Sequence, residues 1–225
     1  MLTILTLSVV LIAFFTSISA RALREDVELP VDVSNAISII ERLLHSLGPE
    51  TVPELDLNSY SGRWYQTHAS LIPNITFEAD GYCVTADYAV VDEVTMSVTN
   101  TMTVGSPEGE FHTINGTAQI KDPEYPGRLK LKFNDGHGGI LSNFRGFYWV
   151  IAVGPIMGET MAKYEWAVVS VPLKLQLYIL ARDVAKFKAE YETEVLNLVD
   201  SLGFNTFINK PLSTYQGADC AYMTL

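Results

Sequence analysis

The sequence predicts an all-β domain in which eight antiparallel strands are followed by one C-terminal α-helix. Beyond Leu55, apolar and polar residues alternate with a period of two, the pattern of strands with one buried face. Eight such stretches follow one another at short, regular spacing, with turn residues between them. Strands arranged in this way form a sandwich or a closed up-and-down barrel.

The chain begins with a predicted secretory signal peptide at residues 1–20. An apolar run from Leu2 to Phe15 is followed by small residues and then by charged ones. The run is shorter than the roughly 20 apolar residues that a membrane-spanning helix needs. An uncleaved membrane anchor is the alternative, because no Lys or Arg precedes the run. We expect a secreted, extracellular protein.

Residues 21–53 are predicted to be an N-terminal extension, and residues 54–225 the barrel domain. Apolar residues recur at helical spacing between Val33 and Leu47, and Gly48-Pro49 follows as a stop. We interpret this short amphipathic helix as part of a loosely attached extension. A pro-segment, a lid or a partner-binding arm are the alternatives.

The predicted barrel spans residues 60–182 and contains two especially regular strands. Met96 to Val104 alternates apolar residues with Ser and Thr, and Leu129 to Phe133 alternates apolar residues with Lys. The remaining predicted strands are Trp64 to Ala69, Tyr82 to Val91, Phe111 to Ile120, Phe147 to Val153, Tyr164 to Val171 and Lys174 to Ala181.

A helix is predicted at residues 183–202, followed by a tail at residues 203–225. Its apolar stripe runs from Val184 to Leu202, and Gly203 provides the stop. The last two strands are apolar on both faces, so both faces need a cover. The helix is the natural outer cover, which favours a barrel with one helix packed outside it.

The net charge of −11 makes nucleic acid and anionic membranes poor partners, because both attract clustered Lys and Arg. Neither a nucleophile–base pair, nor HExxH, nor a phosphate-binding loop is present. The four histidines are scattered along the sequence. We therefore expect no catalytic residues, no metal site and no cofactor. A monomer is expected.

The only two cysteines, Cys83 and Cys220, are expected to form one disulfide bond in a secreted chain. Such a bond would tie the C-terminal tail to the body of the domain. Two sequons, Asn74-Ile75-Thr76 and Asn115-Gly116-Thr117, make Asn74 and Asn115 candidate N-glycosylation sites.

Four segments carry a family resemblance: Gly62-Arg63-Trp64-Tyr65, Gly81-Tyr82-Cys83, Tyr148-Trp149-Val150-Ile151-Ala152 and Tyr178-Ile179-Leu180-Ala181-Arg182. Together they resemble the lipocalins, most closely apolipoprotein D and the bacterial outer-membrane lipocalins, from Leu55 to Tyr222. The resemblance implies an eight-stranded barrel that holds one small ligand.

The resemblance also implies how one end of the barrel is closed. Gly62 and Trp64 belong to the family's first motif, and Arg182 would pack on Trp64 as a cation–π pair. The bond between Cys83 and Cys220 matches a bridge found in the family. In contrast, Val153-Gly154-Pro155 replaces the family's usual Thr-Asp-Tyr, so the loop between the sixth and seventh strands departs from the pattern.

The predicted cavity lining follows from strand alternation, with Cys83 turned outward. On the second strand the inward row is Tyr82, Val84, Ala86, Tyr88 and Val90, and on the third it is Met96, Val98, Asn100, Met102 and Val104. Asn100 and Tyr178 match pocket positions of the resembled relative. The candidate ligand-binding residues are Tyr88, Val98, Asn100, Met102 and Tyr178. Asn100 either orients the ligand, binds a water molecule or pairs with Tyr88.

We expect this lining to bind and carry a small hydrophobic ligand such as a fatty acid, a sterol or a terpenoid. A first alternative is a lipocalin-fold enzyme that acts on a lipid or carotenoid-like substrate. A second is an extracellular interaction module whose partner is a receptor or surface protein.

Overall fold

The computed structural model describes residues 43, 46–134, 145–158 and 162–224. The predicted signal peptide and most of the N-terminal extension lie outside the described residues. The chain divides into two compact units, Met1–Ser46 and Leu47–Leu225. The second unit begins upstream of the predicted boundary at residue 54, because Val52 N donates to Val150 O (3.0 Å) and Gly48 lies against the Trp149 ring. The description below concerns this unit.

The strands, in chain order, are β1 Gly62–Ala69, β2 Gly81–Val90, β3 Thr95–Val104, β4 Glu110–Ile120, β5 Arg128–Asn134, β6 Arg145–Val153, β7 Ile156–Met157, β8 Lys163–Tyr164, β9 Trp166–Ser170, β10 Leu177–Ala181 and β11 Leu212–Ser213. Eight of them form the barrel, in the order β10-β9-β6-β5-β4-β3-β2-β1, and β10 also pairs with β1. Every pairing is antiparallel. The pairing of β10 with β1 closes the sheet, so the predicted eight-stranded barrel is confirmed and the sandwich is excluded.

Short elements complete the two ends of the barrel. Helix α1, Leu57–Tyr60, precedes β1, and helix α2, Leu71–Ile75, follows it. Asp56 caps α1, because its carboxylate accepts hydrogen bonds from the backbone of Asn58 and Ser59. The hairpin of β7 and β8 occupies the loop in which the family motif is replaced. A 3₁₀ turn at Pro172–Lys174 connects β9 to β10.

The terminal helix lies outside the barrel, as predicted. It consists of α3 Val184–Lys186, a π-helical turn at Phe187–Tyr191 and α4 Glu192–Ser201. Its buried residues Phe187, Val195 and Val199 pack on the outer faces of β9 and β10. The opposite faces of these strands join the core inside the barrel. Within the described ranges, no helix has the length and hydropathy needed to cross a bilayer.

The C-terminal tail lies between β1 and β2 near one end of the barrel. These strands pair only from Gly62 to Tyr65 on β1, and beyond that point β11 pairs with β1 instead. Gln216 Nε2 bridges the gap, because it donates to Gln66 O (3.0 Å) and to Val84 O (2.8 Å). The predicted disulfide bond between Cys83 and Cys220 anchors the tail.

The alternation predicted for β2 is interrupted near its start. The pairing with β3 shifts register between Tyr82 and Thr85, and Cys83 adopts a positive φ of 55°. As a result the Tyr82 ring packs against Tyr215 of the tail, at 5.7 Å between centroids. The prediction that Tyr82 belongs to the same inward row as Tyr88 was therefore wrong. Val90, also predicted to point inward, is 39% exposed at the other end of the strand.

Candidate binding site

The closed end of the barrel is built around Trp64, which is fully buried. The Arg182 guanidinium lies 3.6 Å from the centre of the Trp64 ring. Trp64 Nε1 donates to Tyr60 O at 2.8 Å, which satisfies the indole. Gly62 lies directly beneath this pair, with a φ of 97°, and a Cβ added there would be 3.2 Å from Arg182 Nη1. Both the positive φ and the close approach favour glycine at this position.

Arg182 fixes the closed end through hydrogen bonds to backbone carbonyls. Its Nη1 donates to Arg63 O at 2.7 Å, and its Nη2 donates to three consecutive carbonyls, from Ser59 to Ser61, at 2.8–3.1 Å. Its Nε donates to Tyr164 O at 3.2 Å. Burial lowers the pKa of Arg182 to about 10, so the side chain remains a cation at neutral pH.

Three buried tyrosines meet above this plug. The Tyr148 hydroxyl lies 2.6 Å from the Tyr60 hydroxyl and 3.0 Å from the Tyr88 hydroxyl. Burial raises the pKa of Tyr88 to about 12, so its phenol is neutral. Tyr88, predicted to contact a ligand, therefore forms part of the floor of the barrel interior.

The half of the barrel next to this floor is densely packed. Five of its inward-facing residues are each at most 2% exposed: Met96, Val98, Ala118, Leu129 and Val150. Val98, another predicted ligand contact, thus lies among close-packed neighbours. We call this region the closed half.

Five of the inward-facing residues nearer the other end are only partly buried. Asn100 lies opposite Ile114, Gly116 lies opposite Phe133, and Tyr178 lies on β10; all five are partly exposed. We call the region lined by these five residues the upper chamber. Met102, on the same strand as Asn100, lies at its rim and is 9% exposed.

Asn100 contributes an unusual polar atom to the upper chamber. Its Oδ1 is buried and has no hydrogen-bond partner among the described residues. The pairing with Tyr88 considered above does not form: Asn100 Oδ1 has no described partner, and the described hydrogen bond of the Tyr88 hydroxyl is to Tyr148. A buried acceptor without a donor costs free energy, so it marks a position where a ligand group or a water molecule is favoured.

Glu78 and Gln66 belong to this site and were not predicted from the sequence. Gln66 Nε2 donates to Glu78 Oε2 at 2.8 Å and to Thr214 Oγ1 at 3.1 Å. Burial raises the pKa of Glu78 to about 7, against the lowering effect of the Gln66 hydrogen bond. Gln66 lies on β1 and its other partner, Thr214, lies in the tail, and no local pattern in the sequence indicates such contacts.

The two sequon asparagines occupy different environments. Asn115 is exposed, and Thr99 Oγ1 donates to its Oδ1 at 2.9 Å on the outer face of the barrel. Asn74 is partly buried, and its Nδ2 donates to Ser70 O at 2.9 Å. Among the residues with described positions, no three His, Cys, Asp or Glu side chains are grouped to hold a metal ion.

Comparison with solved structures gives several similar chains. By structure, the chain is similar to insecticyanin from the tobacco hornworm Manduca sexta, with a TM-score of 0.56 and 19% identity over 77% of this chain and 88% of that one. It is also similar to lobster apocrustacyanin A1 (TM-score 0.48, 16% identity, 77% and 92% of the two chains). A third similar structure is japanin from Rhipicephalus appendiculatus bound to cholesterol (TM-score 0.45, 14% identity, 74% and 100%).

At the level of sequence, comparison with curated proteins gives no match. The sequence model of the lipocalin-like domain, in contrast, matches residues 55–211, which include every strand of the barrel and the helix outside it. The chain therefore belongs to the lipocalin-like domain family.

Proposed function

We propose that this protein is a secreted carrier that binds a small hydrophobic molecule in the upper chamber of its barrel. The observation that carries the proposal is the contrast along the inward-facing rows. Residues of the closed half are buried against one another, whereas those of the upper chamber keep surface exposed. A chamber closed at one end and accessible at the other suits a ligand that enters from solvent.

The chemistry of the lining supports a ligand that is mainly apolar. Ile114, Phe133 and Tyr178 offer aliphatic and aromatic surface, and Met102 adds an adaptable thioether at the rim. Burial of apolar surface contributes about 25 cal/mol per Å², so a fatty acid, sterol or terpenoid gains affinity from these contacts. Asn100 would then orient the polar end of the ligand. We also propose that, among the lipocalins, this protein is similar to apolipoprotein D.

Secretion and the absence of catalysis are also proposed. A disulfide bond is stable in an oxidising compartment, and the exposed Asn115 is accessible to glycosylation. Both cysteines of the chain take part in this bond, so neither supplies a thiol nucleophile. The buried phenols in the floor are held neutral, which makes them weak general bases.

The direct test is native mass spectrometry with lipid extraction on the secreted protein. We expect one apolar molecule per barrel. The variant Ile114→Trp fills the upper chamber and should release the ligand, whereas Lys132→Trp places the same side chain on the exposed outer face and should retain it. An empty barrel that takes up no fatty acid, sterol or terpenoid would refute the carrier function and favour an interaction role for the outer surface.

A further inference from the structure

A carboxyl group lies on the interior side of the open end of the barrel. Glu78 is in the loop between α2 and β2, and it binds Gln66 of β1. Gln66 points inward, because it is paired with Leu180, which belongs to the core inside the barrel. Burial raises the pKa of Tyr178, a residue of the upper chamber, and the negative charge of Glu78 adds to this shift. The carboxyl group therefore faces the chamber.

The backbone around Glu78 holds this position. Glu78 N donates to Pro73 O at 3.0 Å, and Glu78 O accepts from Gly81 N at 2.9 Å. A Cβ added to Gly81 would lie 2.8 Å from both Glu78 O and Met102 Sδ, so Gly81 is closely packed between them. This packing places the Glu78 turn against the rim of the chamber.

The carboxyl group has unused capacity to accept hydrogen bonds. Gln66 Nε2 supplies the one hydrogen bond that it receives from the described residues, whereas an ionised carboxylate accepts about four. Tyr178 of the upper chamber is neutral, because burial raises its pKa well above the usual value. Cations with described contacts are engaged elsewhere: Arg63 binds Asp87, and Lys174 binds Leu202 O.

Asn100 adds a second acceptor to the same chamber, because its buried Oδ1 has no described donor. Two acceptors without sufficient donors favour a ligand that brings donors of its own. A ligand carboxylate, in contrast, would place a second negative charge beside Glu78.

We propose that Glu78 makes the upper chamber selective for apolar molecules that end in a hydrogen-bond donor, an alcohol or an amine, over those that end in a carboxylate. This selectivity rests on the proposed carrier function. It narrows the ligand class from hydrophobic molecules in general to those with a donor head group, and it assigns the recognition of that group to a loop residue.

The test uses three probes with the same alkyl chain: dodecan-1-ol, dodecylamine and dodecanoate. Their affinities for the ligand-free full chain are measured by calorimetry at pH 8, where Glu78 is ionised. We expect the alcohol and the amine to bind at least about tenfold more tightly than dodecanoate. This is the difference in affinity that one hydrogen bond to a charged group contributes. Glu78→Gln should reduce this difference in affinity and should weaken the binding of dodecylamine most.

The matched control is Glu110→Gln, which removes one negative charge from an exposed position at the same end of the barrel. It should leave all three affinities unchanged. Equal binding of the three probes, or a preference that persists in Glu78→Gln, overturns the selectivity while the carrier function stands. Failure of the wild-type protein to bind any of them, or a sterol or terpenoid, overturns the carrier function and the selectivity together.

Discussion

The closed half of the barrel and the upper chamber use the same kind of strand for opposite purposes. On β3, Met96 and Val98 are at most 2% exposed, but Asn100, on the same inward row, is partly exposed. The closed half buries its residues as a globular core does. The residues of the upper chamber are only partly buried, which lowers stability but suits the proposed ligand binding.

The two regions also differ in how completely their polar groups are hydrogen-bonded. Arg182 in the closed half has donors directed at five carbonyl oxygens, and Trp64 Nε1 is also bonded. In the upper chamber, Asn100 Oδ1 lacks a described partner and Glu78 accepts one hydrogen bond. The hydrogen-bonded polar groups of the closed half therefore stabilise the fold. The unpaired acceptors of the upper chamber are available to a ligand.

The largest expected effect comes from removing the centre of the closed half. Trp64→Ala deletes a fully buried indole and leaves Arg182 without its ring partner. We expect the free energy of unfolding to fall by about 3–5 kcal/mol, as for other large-to-small substitutions in cores. Urea denaturation followed by circular dichroism measures this change.

Phe133→Ala is the matched substitution in the upper chamber. Because Phe133 is only partly buried, we expect a loss of only about 1–2 kcal/mol together with a clear change in ligand affinity. Equal losses of stability at the two positions would contradict the division of the barrel into two regions.

An effect of similar size to that of Phe133→Ala is expected from Glu78, and it depends on pH. Burial raises the pKa of Glu78 from 4.5 to about 7, so the folded state holds this proton more tightly than the unfolded state. The stabilising contribution is complete below pH 4.5 and is lost as the pH rises through about 7. Glu78→Gln should therefore exceed the wild type in stability by about 2 kcal/mol at pH 8 and show little difference at pH 5. Urea titrations at both pH values measure it.

His68 has the opposite pH dependence and has to be separated from this effect. Burial lowers the pKa of His68, with Glu192 opposing the shift, so stability rises as the pH rises through its titration. The wild type and the Glu78→Gln variant both contain His68, so its contribution cancels in the stability difference between them. A stability difference that is the same at pH 5 and pH 8 would mean that the Glu78 carboxyl group is solvated rather than buried.

The sequence predicts the closed half and part of the upper chamber, for physical reasons visible in particular residues. Alternation places Met96, Val98 and Asn100 on one inward row because β3 is regular throughout. It fails near the start of β2, where Cys83 takes a positive φ to meet the tail, a constraint that comes from outside the strand. Glu78 could not be predicted, because its role depends on contacts with Gln66 that only the folded loop creates.

The smallest expected effect concerns the orphaned acceptor of Asn100. Asn100→Leu replaces the amide by an apolar group of similar size and removes a buried oxygen that has no described donor. We expect the ligand-free protein to gain about 1 kcal/mol in the free energy of unfolding, and the affinity for dodecan-1-ol to fall severalfold. Asn205→Leu, at an exposed position after α4, is the control and should change neither quantity. A loss of stability in Asn100→Leu would show that a bound water molecule satisfies the oxygen, which would make Asn100 part of the packed structure rather than of the binding surface.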